Sequence, residues 1–323
     1  MKKLMLCAVA AAVIMVAGEA SADCDWVPER PVTVIVPWGA GGTTDSNARM
    51  MANLLQKRFD EPFNVVNRTG GNGVTGHSAI SRAKPDGYTI GAVTVEINTM
   101  HFFGLTDLTY KDITPISKML QPAASVMVGK DSKFQTLGEL LDYARAHPGE
   151  LKGSGTSLGG IWHLALAGML NAEGMPSDAI RWIPSQGSAS AMQELLAGGV
   201  DVVTPSLEEG KALIDSGEVR ALAVMSKTPN PGFPNVPTTY DLLPSHWTMA
   251  AYTTISGPKD LPASIACSYE KAIKDVMASP DWAEFQKSRG GAVDWGSAED
   301  LEKIMAGYEK SLGDTIKAAG MAK

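Results

Sequence analysis

Val32-Thr33-Val34-Ile35-Val36-Pro37-Trp38-Gly39-Ala40-Gly41-Gly42-Thr43-Thr44-Asp45 is the stretch on which the fold turns. Its first five residues are all β-branched, which suits a buried strand and crowds a helix. Pro37 and three glycines then turn the chain, and apolar residues recur at helical spacing from Asp45 to Phe59, at Met51, Leu54, Leu55 and Phe59. Strand, glycine turn and helix together are the repeating unit of an α/β protein. A helix start also carries unpaired N–H groups and a partial positive charge, so this loop suits a carboxylate or a phosphate. The plainer reading is an ordinary strand-to-helix turn with Thr44 or Asp45 as N-cap.

The same alternation continues outward. Phe63–Asn67 reads as a strand, 74–83 as a short helix and 88–95 as a strand. Thr136-x-x-Glu139 is a capping box that opens a helix ending near His147-Pro148. Strands are predicted over 151–154, 180–184, 200–204 and 219–225, with helices over 161–171, 189–197 and 207–215 between them. A Pro- and Asn-rich connection over 226–245 precedes a strand over 249–255 and three helices. One of these has Pro262 at its first position and another stands behind the Ser297-x-x-Asp300 cap.

Two further turns repeat the logic of the first. Gly153-Ser154-Gly155-Thr156-Ser157-Leu158-Gly159-Gly160-Ile161-Trp162-His163 again joins strand to helix through glycines and hydroxyls. Two such helix starts facing one another would hold a ligand with an anionic group at each end, and His163 is either a carboxylate contact or a packed histidine. Pro184-Ser185-Gln186-Gly187-Ser188-Ala189 is a third turn of this kind.

Gly71-Asn72-Gly73-Val74-Thr75-Gly76 spells the G-x-G-x-x-G of dinucleotide-binding proteins, and Glu96 follows at the distance of their ribose-binding acid. The motif sits after the second strand, however, with Asn67-Arg68-Thr69 intervening, so a surface loop of positive-φ glycines is the simpler reading. H-E-x-x-H does not occur and the five His are scattered, so no catalytic residue, metal or cofactor is expected. The enzyme alternatives are a dehydrogenase built on Gly71–Gly76 or a hydrolase using a Ser–His pair.

Length and composition bound the rest. The chain has 323 residues, which suits two domains. Apolar residues at 44% and charged residues at 20% exclude a disordered chain, and a net charge of −7 argues against nucleic acid as a partner. Met1-Lys2-Lys3, an apolar run and Ala20-Ser21-Ala22 read as a leader over 1–22, cleaved on export. Its removal deletes two Lys and one Glu, taking the charge from −7 to −8, and leaves Cys24 and Cys267. Two thiols in an oxidising compartment suggest one disulfide, with two free thiols as the open alternative.

Five segments then carry a resemblance: PWGAGGTTD (37–45), VVNRTGGNGVTGHSAISRAKPDGYTIG (65–91), GSGTSLGGIWHLALAGML (153–170), WIPSQGSASAMQELLAGGVDVV (182–203) and FPNVPTT (233–239). Together they resemble the Bug-type (TctC-like) solute-binding proteins of tripartite tricarboxylate transporters along essentially the whole mature chain. The resemblance implies an α/β, two-lobe, type II-like periplasmic binding protein with two hinge crossings and a central cleft. One lobe is expected over 23–124 plus 252–323, the other over 125–251. It also implies a periplasmic receptor with no enzymatic activity. Such a monomer binds a di- or tricarboxylate or an aromatic acid and passes it to membrane permease subunits. A sensor using the same liganded lobes is the alternative.

The residues expected to bind are Trp38, Ala40, Gly41, Gly42, Thr43, Thr44 and Asp45 of the first loop, opposed by Thr156, Ser157 and His163. Ser185, Gly187 and Ser206 join them. Glu96 is expected in the cleft too, where it turns away, meets an ammonium group of the ligand, or pairs with Arg68.

Overall fold

The computed structural model describes residues 24–323; the leader expected over 1–22 lies outside them. Ten strands form two mixed five-stranded sheets. The first sheet has the order β2 (Phe63–Asn67), β1 (Val32–Val36), β3 (Thr89–Thr94), β10 (Thr253–Pro258), β4 (Ile113–Leu120). The second has the order β7 (Arg181–Trp182), β6 (Lys152–Ser154), β8 (Val202–Val203), β5 (Ser125–Gly129), β9 (Val219–Val224). The two orders follow one plan. Three strands run parallel, and one antiparallel strand is inserted before the last.

β1 lies between β2 and β3 and is buried along almost its whole length, so a continuous β-branched run fits it. Helix α1 (Thr43–Phe59) turns Ala48, Met51, Ala52, Leu54 and Leu55 inward, and ends where Asp60 adopts φ 58°. Helices α2 (Val74–Ser81), α3 (Leu137–Ala146), α4 (Ile161–Ala172), α5 (Ser188–Leu196) and α6 (Leu207–Asp215) follow in chain order. α4 is buried from Ile161 through Leu170, as its nearly uniform apolar composition requires. α8 (Ala263–Met277), α9 (Pro280–Ser288) and α10 (Ala298–Ala318) close the chain, after the short α7 (Thr239–Leu242).

Several expectations change in detail. β4 is a full strand that the sequence pattern did not single out. The strand expected over 249–255 begins at Thr253, because Met249 and Ala251 pair instead with the outgoing chain. Pro262 is the N-cap of α8 rather than its first residue, while Pro280 takes that first position in α9. The 226–245 connection holds α7, which Thr238 caps through the Asp241 N–H.

The chain leaves the first sheet after β4 and returns to it before β10, and the two crossings lie side by side. Ala124 N–H donates to Met249 O at 2.9 Å, and Ala251 N–H donates to Pro122 O at 2.9 Å. Behind them, residues of both sheets share one hydrophobic core in which Val93, Val95 and Ile97 meet Val126, Leu164 and Met305. Cys24 and Cys267 are joined in a disulfide with their Cα atoms 5.2 Å apart, which fastens the start of the described chain to α8.

Candidate functional site

Loops at the carboxyl ends of the parallel strands converge between the sheets, where open α/β sheets bind ligands. They surround a cavity of about 320 Å3, near the low end of the roughly 300–1,000 Å3 of ligand pockets. Leu120, Pro122, Ala251, Tyr252 and Thr253, from the paired crossings, also line it.

On the first sheet's side, α1 begins at Gly42, which has no side chain to cap it. Trp38, Ala40, Gly42, Thr43 and Thr44 line the cavity, and Thr43 Oγ1 is buried without a hydrogen-bond partner. Gly41 and Asp45 stand off the wall, because they serve the loop itself. The Asp45 carboxylate accepts from Gly41 N–H at 2.9 Å, Arg49 Nε at 2.9 Å and Asn67 Nδ2 at 2.8 Å. Burial opposes its charge, but these donors outweigh burial and hold the carboxyl below its ordinary range.

Glu96 lines the cavity, in the turn after β3. Thr94 donates to its Oε2 at 2.6 Å, and the Ile161 N–H of α4, from the other sheet's side, reaches its Oε1 at 3.3 Å. Glu96 is therefore neither turned away nor paired with Arg68. It caps a helix that starts at Gly160, another residue with no side chain to offer. Burial pushes its pKa upward, against the opposing pull of Thr94 and Ile161.

On the second sheet's side, Thr156 and Gly187 reach the wall. His163 is buried at 5% exposure: its Nδ1 accepts the Gly159 N–H at 3.0 Å and its ring lies 4.7 Å from Trp182. Burial lowers its pKa to about 4, so it is neutral at pH 7. Ser157 Oγ turns to Asn72 across the gap, and Ser185 Oγ bonds Gly187 O at 3.1 Å. Ser206, at the start of α6, is buried off the wall. Turn conformation and local bonding thus divert Ser157, His163, Ser185 and Ser206 from the cavity.

Residues not expected from the sequence complete it. Ser188 and Ser190 line it at the start of α5, whose N-cap is the side-chain-free Gly187. Gln186, Gln193, Thr94 and Trp162 join them. Trp162 Nε1 donates to Ser188 Oγ at 3.2 Å and Trp38 Nε1 to Thr94 Oγ1 at 3.1 Å, so both indoles are held in place. Glu209 of α6 also lines the wall and accepts the Ser206 N–H at 3.2 Å. Burial pushes its pKa up to about 7, opposed by the Ser188 hydroxyl and the Ser206 N–H. Ser206-x-x-Glu209 is a visible capping box, but nothing local in it tells that the acid borders a cavity. Among the described residues that line the cavity there is no Lys, Arg or His.

The Gly71–Gly76 motif serves packing. A Cβ on Gly76 would lie 2.5 Å from Pro37 Cα, so only glycine lets α2 approach the first loop. His77, buried and with its pKa lowered to about 4 by burial, sits 2.7 Å from Gly73 O and accepts the Thr94 N–H at 3.1 Å. The loop thereby holds Thr94, and through it Glu96, in position.

Two α/β lobes joined by paired crossings, with helix starts meeting in the gap, define a binding protein for a small solute rather than an enzyme. The family model described as "Tripartite tricarboxylate transporter family receptor" (TctC) matches residues 47–321. The chain belongs to that family, whose receptors include the Bug-named proteins. It is 30% identical over 287 residues to the "UPF0065 protein in tcbD-tcbE intergenic region" of Pseudomonas sp. (strain P51), covering 87% of this chain and 83% of that one. The structure of the periplasmic binding protein BugD is similar at TM-score 0.84 and 26% identity, over 92% of this chain and 99% of that one. R. palustris Rpa4515, solved with adipate, is similar at TM-score 0.82 and 27% identity, over 92% and 99%.

Proposed function

We propose that the chain is exported to the periplasm, captures a small organic carboxylate between its lobes and delivers it as a monomer to the permease subunits of a tripartite tricarboxylate transporter. The lobes of this reading are 23–124 plus 252–323 and 125–251. The observation that carries it is the pair of uncapped helix starts, α1 at Gly42 and α5 at Gly187, one on each side of the same cavity. Each supplies unpaired N–H groups and a partial positive charge, which suits a carboxylate without any lysine or arginine. The adipate bound to a relative of similar fold points the same way.

Capture works by closure. Glu96 to Ile161 N–H and Ser157 to Asn72 span the gap, so separating the lobes breaks them. A ligand that touches both lobes adds contacts to the closed form alone and shifts the population toward it. Calorimetric titration of the purified protein with organic acids tests this, with saturable binding of at least one carboxylate expected. If every mono-, di- and tricarboxylate and aromatic acid leaves the protein without heat or thermal stabilisation, the reading fails. Uptake of the same acid by cells lacking this chain checks delivery: it falls if the chain feeds a permease.

A further inference from the structure

Four helix starts approach the gap, and the chain itself occupies two of them. Glu96 sits on α4 through Ile161 N–H, and Glu209 sits on α6 through Ser206 N–H. Only α1 and α5 begin with a bare glycine and no side-chain acceptor in the cavity. An open helix start is worth about half a positive charge, so the two together balance roughly one carboxylate. A second ligand carboxylate meets Glu96 and Glu209, with no Lys, Arg or His on the wall to offset them. A second carboxylate could meet these acids only in their neutral forms, whereas a cation meets them charged.

From this balance we infer that the ligand is a small zwitterion: its carboxylate lies at the open starts of α1 and α5, and its ammonium group pairs with Glu209. The inference rests on the carboxylate reading and narrows it from di- and tricarboxylates to one acid group with one amine. Glu209 is the pairing group because it is only half-buried on the cavity wall, whereas Glu96 is 3% exposed and uses both oxygens, on Thr94 and Ile161. Glu96 adds a second negative wall. Thr43 Oγ1, buried without a partner on the same cavity, supplies a further polar contact. Burial raises both acids toward their neutral forms in the free protein, and a cation beside them restores their charge. Trp38, Trp162, Leu120 and Ala251 give the carbon skeleton an apolar surface.

The test is calorimetry on the full chain with acids matched in skeleton: hexanoate, adipate, norleucine and 6-aminohexanoate, then 3-phenylpropanoate and phenylalanine. At least one zwitterion binds tenfold or more tighter than its matched mono- and dicarboxylates. Glu209→Gln removes that preference, so the zwitterion binds no more tightly than its matched monocarboxylate, and a retained cooperative thermal unfolding transition shows that the variant is folded. Tighter binding of adipate or hexanoate than of any zwitterion overturns the inference and leaves the carboxylate reading standing. A preference that survives Glu209→Gln overturns the role of Glu209. No binding by any of the six acids overturns the inference, and the carboxylate reading falls with it only if the wider panel of mono-, di- and tricarboxylates and aromatic acids fails as well.

Discussion

The starts of α1 and α4 come from nearly the same sequence idea, a strand followed by glycines, hydroxyls and a helix, yet they end in opposite conditions. α1 opens on the cavity with Thr43 Oγ1 unpartnered. α4 is closed by Glu96, a carboxylate from the other lobe. A glycine-rich helix start therefore marks a capacity to hold an anion, and tertiary structure decides whether that anion is a ligand or the protein's own side chain. In the same lobe it is α5, beginning at Gly187, whose start stays open on the cavity.

The sharpest way to break the contrast is to make α1 resemble α4. Gly42→Asp puts a carboxylate acceptor at the N-cap, so carboxylate affinity falls at least a hundredfold, about 2.7 kcal/mol. The free protein keeps or raises its melting temperature, since an Asp cap is worth about 1 kcal/mol. Thermal shift with and without ligand reads both effects, and unchanged affinity would place the carboxylate elsewhere.

Next in size are the glycines themselves. Gly159 has φ 78°, and a methyl there would sit 2.7 Å from the Phe103 ring of the other lobe. Gly159→Ala destabilises by about 2 kcal/mol or more, from the left-handed backbone and the clash. A methyl on Gly42 meets nothing nearer than 3.8 Å, and Gly42→Ala costs under about 1 kcal/mol. Denaturant midpoints compare the two.

Titration separates the lobes' acids. Glu209 is raised from 4.5 to about 7 when folded, so the native state binds the proton more tightly than the unfolded chain. Its contribution is present in full below the unfolded pKa and is lost as pH climbs through the folded one. Stability of the ligand-free protein falls between pH 5 and 8 by about 2 kcal/mol, one unit being worth about 1.4 kcal/mol and the open side of the group reducing the whole. Glu209→Gln flattens that slope; a wild-type slope in the variant would show that Glu209 does not titrate there.

The smallest effects distinguish wall from support. Thr156 lines the cavity, and Thr156→Ala weakens binding by about 1 kcal/mol if its hydroxyl meets the ligand. His163 serves Gly159 and Trp182, so His163→Ala lowers thermal stability while ligand affinity stays within threefold. A larger affinity loss in His163→Ala than in Thr156→Ala would reverse their places.

Most of the fold was legible in the residues, because β-branched runs and helical spacing are local signals that survive into β1, α1, α4 and α6. β4 was missed, since Pro115 and Lys118 interrupt its pattern, although Lys118 is explained by its 2.6 Å ion pair with Asp294. The first loop was readable as a wall because strand and helix fix its direction. His163 and Glu209 were not, for a related reason. Whether a side chain on a helix's first turn faces a gap or a neighbour depends on what packs there, which for His163 is Trp182, a residue outside α4.

The disulfide has a consequence for time rather than for energy alone. Cys24 and Cys267 are 243 residues apart, and a chain threaded out amino end first exposes Cys24 long before α8 arrives. If the leader expected over 1–22 is removed, Cys7 goes with it, and Cys267 is then the one partner left for Cys24. The bridge can therefore close only on a molecule that has emerged as far as α8. Once closed it removes about 5 kcal/mol of freedom from the unfolded chain in the loop-entropy account, a constraint that a chain stopped before α8 never acquires.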